Sequence, residues 1–152
     1  MKKGRGVFER RYMNLPLQEK SEKLGIILQR LMEKSGEGAL ILVEGRRDAE
    51  ALADIGVTGK IECIKERRIP FYDLLSEYAD MDSELIVLTD FDRRGTQLAS
   101  KIAHYLERRG RPVNLRFWMM VKSLMSGEVK DVEGLPSYLN TLRRRYRNQI
   151  AV

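Results

Sequence analysis

Apolar residues recur along this chain in two alternating rhythms. From 15 to 34, Leu24, Ile27, Leu28 and Leu31 keep the three- and four-residue spacing of one helix face, and Gly36 and Gly38 end the pattern. ALILVEG (39–45) is then a short unbroken apolar run closed by glycine, the reading of a strand buried on both faces. RRDAEALADIG (46–56) returns to helical spacing, with Ala49, Leu52 and Ala53 inward and Gly56 at its close. KIECI (60–64) is a weaker strand, followed by the charged loop KERR. Pro70 suits the first turn of a helix through FYDLLSEYA, where its missing N–H would have had no partner.

LIVLT (85–89) is the clearest strand, and GTQLASKIAHYLERRG (95–110) is a helix with Leu98, Ile102, Tyr105 and Leu106 on one face. VNLRFW (113–118) alternates like a fourth strand at a sheet edge, where Phe117 and Trp118 would pack. Helical segments around 119–126 and 134–146 finish the chain. Strand and helix alternate throughout, which predicts an α/β fold: a four-stranded parallel sheet sandwiched by helices, with helical extensions at both ends. The expected division is a basic N-terminus and amphipathic helix at 1–37, an α/β domain at 38–118 and a helical extension with a basic end at 119–152.

The length of 152 residues allows one real core. No apolar run approaches the roughly 20 residues of a membrane-spanning helix, and the N-terminus lacks the apolar middle of a secretory signal, so a cytoplasmic protein without a membrane partner is expected. The single cysteine, Cys63, excludes an internal disulfide and a cysteine-rich zinc site, and its apolar setting favours a small core residue over a reactive thiol.

Charge changes the picture more. Residues 1–12 carry five basic side chains against Glu9, a net of +4, and residues 141–152 carry Arg143, Arg144, Arg145 and Arg147 without an acid, also +4. Against a total of +6, residues 13–140 are therefore at −2. An acidic middle between basic ends suits a site that meets a polyanion, although basic tails also simply keep a protein in solution.

The acidic middle has a focus. In an open parallel sheet, ligands bind beyond the carboxyl ends of the strands where strand order reverses. The first strand ends in Glu44, and the third in Asp90 and Asp92. If these strands are neighbours, three carboxylates meet; residues two apart in an extended chain point the same way, so Asp90 and Asp92 would face one ion together. Mg²⁺ needs only a few hard oxygens while it keeps several waters, and it would relieve the repulsion of the acids. Gly45 and Gly95 follow the acids and open helices, where free N–H groups can seat phosphate.

LVEGRRDAEAL (42–52) and LTDFDRRGTQLA (88–99) resemble the two motifs of Toprim domains. This catalytic module is shared by type IA topoisomerases, bacterial-type primases, recombination-mediator and OLD-type nucleases, and the ribonuclease that matures 5S ribosomal RNA. The resemblance spans about residues 38–118, and the small size is similar to the stand-alone Toprim proteins related to that ribonuclease. It implies a Rossmann-like Toprim fold, Glu44 as general acid/base or metal ligand, and Asp90 and Asp92 as ligands of Mg²⁺, with Mn²⁺ a possible substitute. Topoisomerases carry further acids where this chain has Arg94 and Thr96, and Phe91 replaces a proline often found between the aspartates.

A topoisomerase or primase needs further domains, for which the chain has no room. The expectation is a Mg²⁺-dependent protein acting on nucleic-acid phosphodiesters, RNA rather than DNA, as an RNA-processing endonuclease; the alternative is a non-catalytic nucleic-acid-binding or adaptor module. Haloacid-dehalogenase-type phosphatases also use Asp-x-Asp, but on the first strand and with a later acidic pair. Glycosyltransferases that use it usually have far longer chains.

Arg46, Arg47, Arg93 and Arg94 flank the acids and could touch phosphate, or merely balance charge. Lys65, Arg67 and Arg68 follow the second strand on the same side and could line a backbone path, or form a solvated loop. Asp48 reads first as a helix-dipole residue, and His104 as structural. Arg143, Arg144 and Arg145 beside Tyr146 mix charge with an aromatic ring, so deleting 141–152 is expected to weaken RNA binding and flatten its salt dependence.

Overall fold

The computed structural model describes residues 16–125 and 127–150, with side chains to Arg147. The basic N-terminal segment 1–12 lies outside the described residues. In order, the elements are α1 (Leu17–Gly36), β1 (Leu40–Val43), α2 (Arg46–Ile55), β2 (Ile61–Cys63), a 3-10 turn (Ile64–Glu66), α3 (Phe71–Ala79), β3 (Leu85–Val87), α4 (Arg93–Arg108), α5 (Arg116–Met125), a second 3-10 turn (Val132–Gly134) and α6 (Leu135–Ile150).

The three strands pair in parallel in the order β2-β1-β3. β1 is central and buried along its whole length, which is why its sequence is an unbroken apolar run. Right-handed crossovers require α2 on one face and α3 with α4 on the other. Packing follows that rule: α3 lies on α4, while α1 packs on α5 and α6, and α2 on α6. Both groups share one core with the sheet, from Leu24 and Leu28 of α1 through Ile41, Ile86 and Ile102 to Leu142 of α6.

The fourth strand is a correction. Of residues 113–118, Asn114 alone pairs with β3, opposite Ile86: its N–H donates to Leu85 O at 2.8 Å and its carbonyl accepts from Val87 at 3.1 Å. Its side-chain oxygen then accepts the N–H of Arg116 at 2.9 Å, which turns the chain out of the sheet into α5. An Asx residue that bonds the backbone two positions on is a strand stop and a helix start. Phe117 and Trp118 are therefore adjacent core residues of a helix, with Val121, Leu124 and Met125 continuing the same face. In α2 the buried apolar pair is Ala51 and Leu52, whereas Ala53 faces solvent.

Candidate functional site

The order β2-β1-β3 puts the reversal of strand order between β1 and β3, which run parallel, so Glu44 and Asp90 leave the sheet side by side. Glu44 is buried at 8% exposure, and its Oε2 accepts the backbone N–H of Asp90 at 2.7 Å. Its Oε1 stands 3.7 Å from Lys65 Nζ, and its carbonyl accepts the Lys65 N–H at 3.0 Å, which brings the loop after β2 to the same edge.

Asp90 sits in the turn between β3 and α4, half-buried, and its Oδ1 is enclosed without a hydrogen-bond donor. Burial, and then the carboxylates of Glu44, Asp48 and Asp131, push its carboxyl up from 3.8 to about 7. Asp92 is exposed and caps α4: its Oδ1 accepts the Gly95 N–H at 2.7 Å. The two aspartates are thus placed by a strand-to-helix turn rather than by an extended strand. Among the described residues, no three His, Cys, Asp or Glu side chains stand close enough to form a ready-made metal cluster. Glu44 and Asp90 nonetheless suit a hard cation, because an enclosed carboxylate oxygen without a donor, facing a second carboxylate, gains most from a positive charge.

Gly95 packs so closely that a Cβ there would lie 2.0 Å from the Asp90 carbonyl oxygen. The Thr89 hydroxyl, fully buried, donates to Gly95 O at 2.7 Å and locks the same turn. The N–H groups of Gly45 and Gly95 already have partners within the chain: Asp48 Oδ2 at 3.1 Å for the first and Asp92 for the second. Asp48 is buried, and its Oδ1 accepts the Glu133 N–H at 3.2 Å, so it joins the start of α2 to the turn before α6. Its carboxyl is raised by burial, against the lowering by those two N–H groups.

The basic residues divide by what they already hold. Arg67 is gripped by Glu62 at 2.8 Å and Glu77 at 2.6 Å, so it ties the loop after β2 to α3. Arg46 pairs with Glu66 at 2.9 Å and Arg47 with Glu133 at 3.6 Å, both at the surface. Arg68, Arg93 and Arg94 are exposed, with no carboxylate partner among the described residues. Arg143, Arg144 and Arg145 are exposed on α6, but Leu142 beside them is fully buried. Cys63 is half-buried at the end of β2, and burial pushes its thiol up, away from reactivity.

Two contributors escaped the sequence reading. Asp131 caps the second 3-10 turn through Gly134 N–H at 2.9 Å, and its charge reaches Asp90 and Asp48; the Asp-x-x-Gly spacing in KDVEG was the available signal. Trp118 donates from Nε1 to Thr89 O at 3.0 Å, which bolts α5 to the turn that carries Asp90.

The sequence profile of the Toprim domain matches residues 39–119, a span that holds Glu44, Asp90 and Asp92. This chain belongs to the Toprim domain family. The Toprim protein is 34% identical to the UPF0292 protein of Methanosarcina barkeri, over 80% of this chain and 84% of that relative. It is 36% identical to the UPF0292 protein of Methanocaldococcus jannaschii, over 78% of this chain and 91% of that one. A solved structure of an Aquifex aeolicus protein shares the fold at a TM-score of 0.59 and 24% identity, over 70% of this chain and 93% of that one. Toprim membership gives the protein a metal-dependent, nucleic-acid-related role. Among the described residues, no helix is long and apolar enough to cross a membrane.

Proposed function

We propose that this Toprim protein is a Mg²⁺-dependent endonuclease that processes RNA in the cytoplasm, with Mn²⁺ able to replace Mg²⁺. The observation that carries the reading is Asp90, whose enclosed Oδ1 lacks a donor opposite the Glu44 carboxylate. Glu44, Asp90 and Asp92 are the proposed metal ligands and catalytic groups. Mg²⁺ bound there would neutralise charge on the scissile phosphate and orient a water. Glu44, with Oε1 turned towards Lys65, is placed to move a proton. Asp92 holds the start of α4 with one oxygen and has the other to offer.

Lys65, Arg68, Arg93 and Arg94 are the proposed phosphate contacts beside the acids. Arg46 and Arg47 join them by exchanging weak surface ion pairs for phosphate. Gly45 and Gly95 shape the backbone, since their N–H groups are taken, and Arg67 acts as a structural tie. Arg143, Arg144 and Arg145 add a distant electrostatic grip. Because Leu142 is in the core, that grip is tested by replacing the three arginines with glutamine rather than by deleting 141–152. RNA is preferred to DNA because the small stand-alone Toprim proteins this chain resembles are related to an RNA-maturing ribonuclease.

A second reading, a non-catalytic nucleic-acid-binding module, is favoured by one observation: Asp92 is engaged as a helix cap instead of completing a three-acid cluster. Structured RNA and DNA incubated with the protein in Mg²⁺ or EDTA separate the two. Cleavage of RNA that disappears in EDTA and in Glu44→Gln and Asp90→Asn supports the nuclease. Binding without cleavage in every condition supports the module.

A further inference from the structure

Beyond the acids, α4 presents a second feature. Arg94, Gln97, Lys101, His104 and Arg108 recur at spacings of three and four, and all five are exposed, so they form one polar stripe along the helix. Glu107, the acid in the second half of α4, lies at the edge of the stripe, three residues after His104 and about 60° from it around the helix. Among the described residues, none of Arg94, Lys101 and Arg108 has a carboxylate partner. The stripe begins beside Asp92 and runs for about 21 Å at the helical rise of ~1.5 Å per residue.

It ends on exposed aromatic surface. Tyr72 of α3 is 58% exposed, and its ring lies 5.4 Å from that of Tyr105, tilted by 39°. The guanidinium of Arg109 covers Tyr105 at 4.4 Å, and the Tyr105 hydroxyl is within 3.0 Å of Ser76 Oγ, so this half of the pair is fixed while Tyr72 is open to a visitor. The cavity here is lined by Tyr72, Lys101, His104, Tyr105, Arg108 and Arg109, with no carboxylate among them. A solvated charged helix face needs no aromatic pair at its end; a strand with phosphates on one side and bases on the other uses both.

We infer that the α4 stripe from Arg94 to Arg108, with Tyr72 and Tyr105 at its far end, is a track for single-stranded nucleic acid leading away from the Glu44 and Asp90 site. The inference rests on the nucleic-acid reading of that site and deepens it, because it assigns the substrate an unpaired segment flanking the scissile phosphate. At the stacked spacing of ~3.4 Å per nucleotide, the track holds about six. Lys101 and Arg108 meet phosphates, and Tyr72 stacks on a base.

The test is fluorescence anisotropy of labelled single-stranded RNA and DNA of about eight nucleotides, titrated with the full chain in EDTA, where cleavage does not intervene. Tyr72→Ala is expected to weaken binding about 5- to 160-fold, the range for losing one stacked base, and Tyr72→Phe to restore it. Lys101→Ala with Arg108→Ala is expected to reduce the slope of log affinity against log salt by about 1.4, or ~0.7 per lost phosphate contact. Wild-type affinity in Tyr72→Ala with an unchanged slope in the double variant overturns the track. Wild-type protein that binds duplex but not single strands also overturns it and leaves the nucleic-acid reading standing, whereas no binding of either overturns both. Tyr72, Lys101 and Arg108 are surface residues, so these substitutions leave the core intact.

Discussion

Glu44 Oε2 accepts the backbone N–H of Asp90 at 2.7 Å, a tie between residues 46 positions apart that sets the end of β1 against the turn after β3. One carboxylate thereby does two jobs: it positions the neighbouring acid by its backbone and faces it with charge. Glu44→Gln keeps an acceptor for that N–H while removing the charge, so it separates placement from chemistry.

The pH dependence of stability follows from Asp90. Its carboxyl is raised from 3.8 to about 7, so the folded protein holds this proton more tightly than the unfolded chain does. The stabilisation is complete below about pH 4 and is lost as pH rises through about 7. A cation between Asp90 and Glu44 offsets that loss. Thermal unfolding should therefore show Mg²⁺ raising Tm more at about pH 8 than at about pH 6. Without metal, Asp90→Asn should raise Tm at the higher pH, and equal Tm shifts at both values would count against this account.

Gly95→Ala should be costly out of proportion to one methyl group. The new Cβ would fall 2.0 Å from the Asp90 carbonyl oxygen, and backbone cannot yield as a flexible side chain would. Urea unfolding should show a loss of about 1–3 kcal/mol or more. Gly25→Ala, whose Cβ meets nothing within 4 Å, is the control and should match wild type or exceed it.

The main strands and acids were legible because burial on both faces leaves an uninterrupted apolar run, as in LILV and LIV, and because a strand that ends in a carboxylate breaks that run abruptly. The fourth strand misled because VNLRFW alternates over six residues, yet Asn114 captures the Arg116 N–H and starts a helix instead. The state of Asp92 was also hidden. An acid three residues before Gly95 reads equally as a ligand or a cap, and the cap is formed here. Asp131 was beyond reach of strand logic because it arrives on a loop some 40 residues after Asp90, brought in where Phe91 N–H meets Lys130 O at 2.7 Å.

Trp118→Phe tests the bolt between α5 and the turn that carries Asp90. Phenylalanine fills most of the space but leaves the Thr89 carbonyl without its donor, so stability should fall by about 1–3 kcal/mol. Chemical denaturation of the variant measures this, and an unchanged midpoint would mean that the Trp118 to Thr89 bond contributes nothing.

The central claim, that Glu44 and Asp90 hold a divalent cation, is tested most directly by titrating the protein with Mn²⁺ and following the free-ion signal by electron paramagnetic resonance. The account predicts saturable uptake of Mn²⁺ by the wild type, competed by Mg²⁺, lost in Asp90→Asn and weakened in Glu44→Gln, with circular dichroism showing all three folded. Uptake by Asp90→Asn equal to that of the wild type would contradict it.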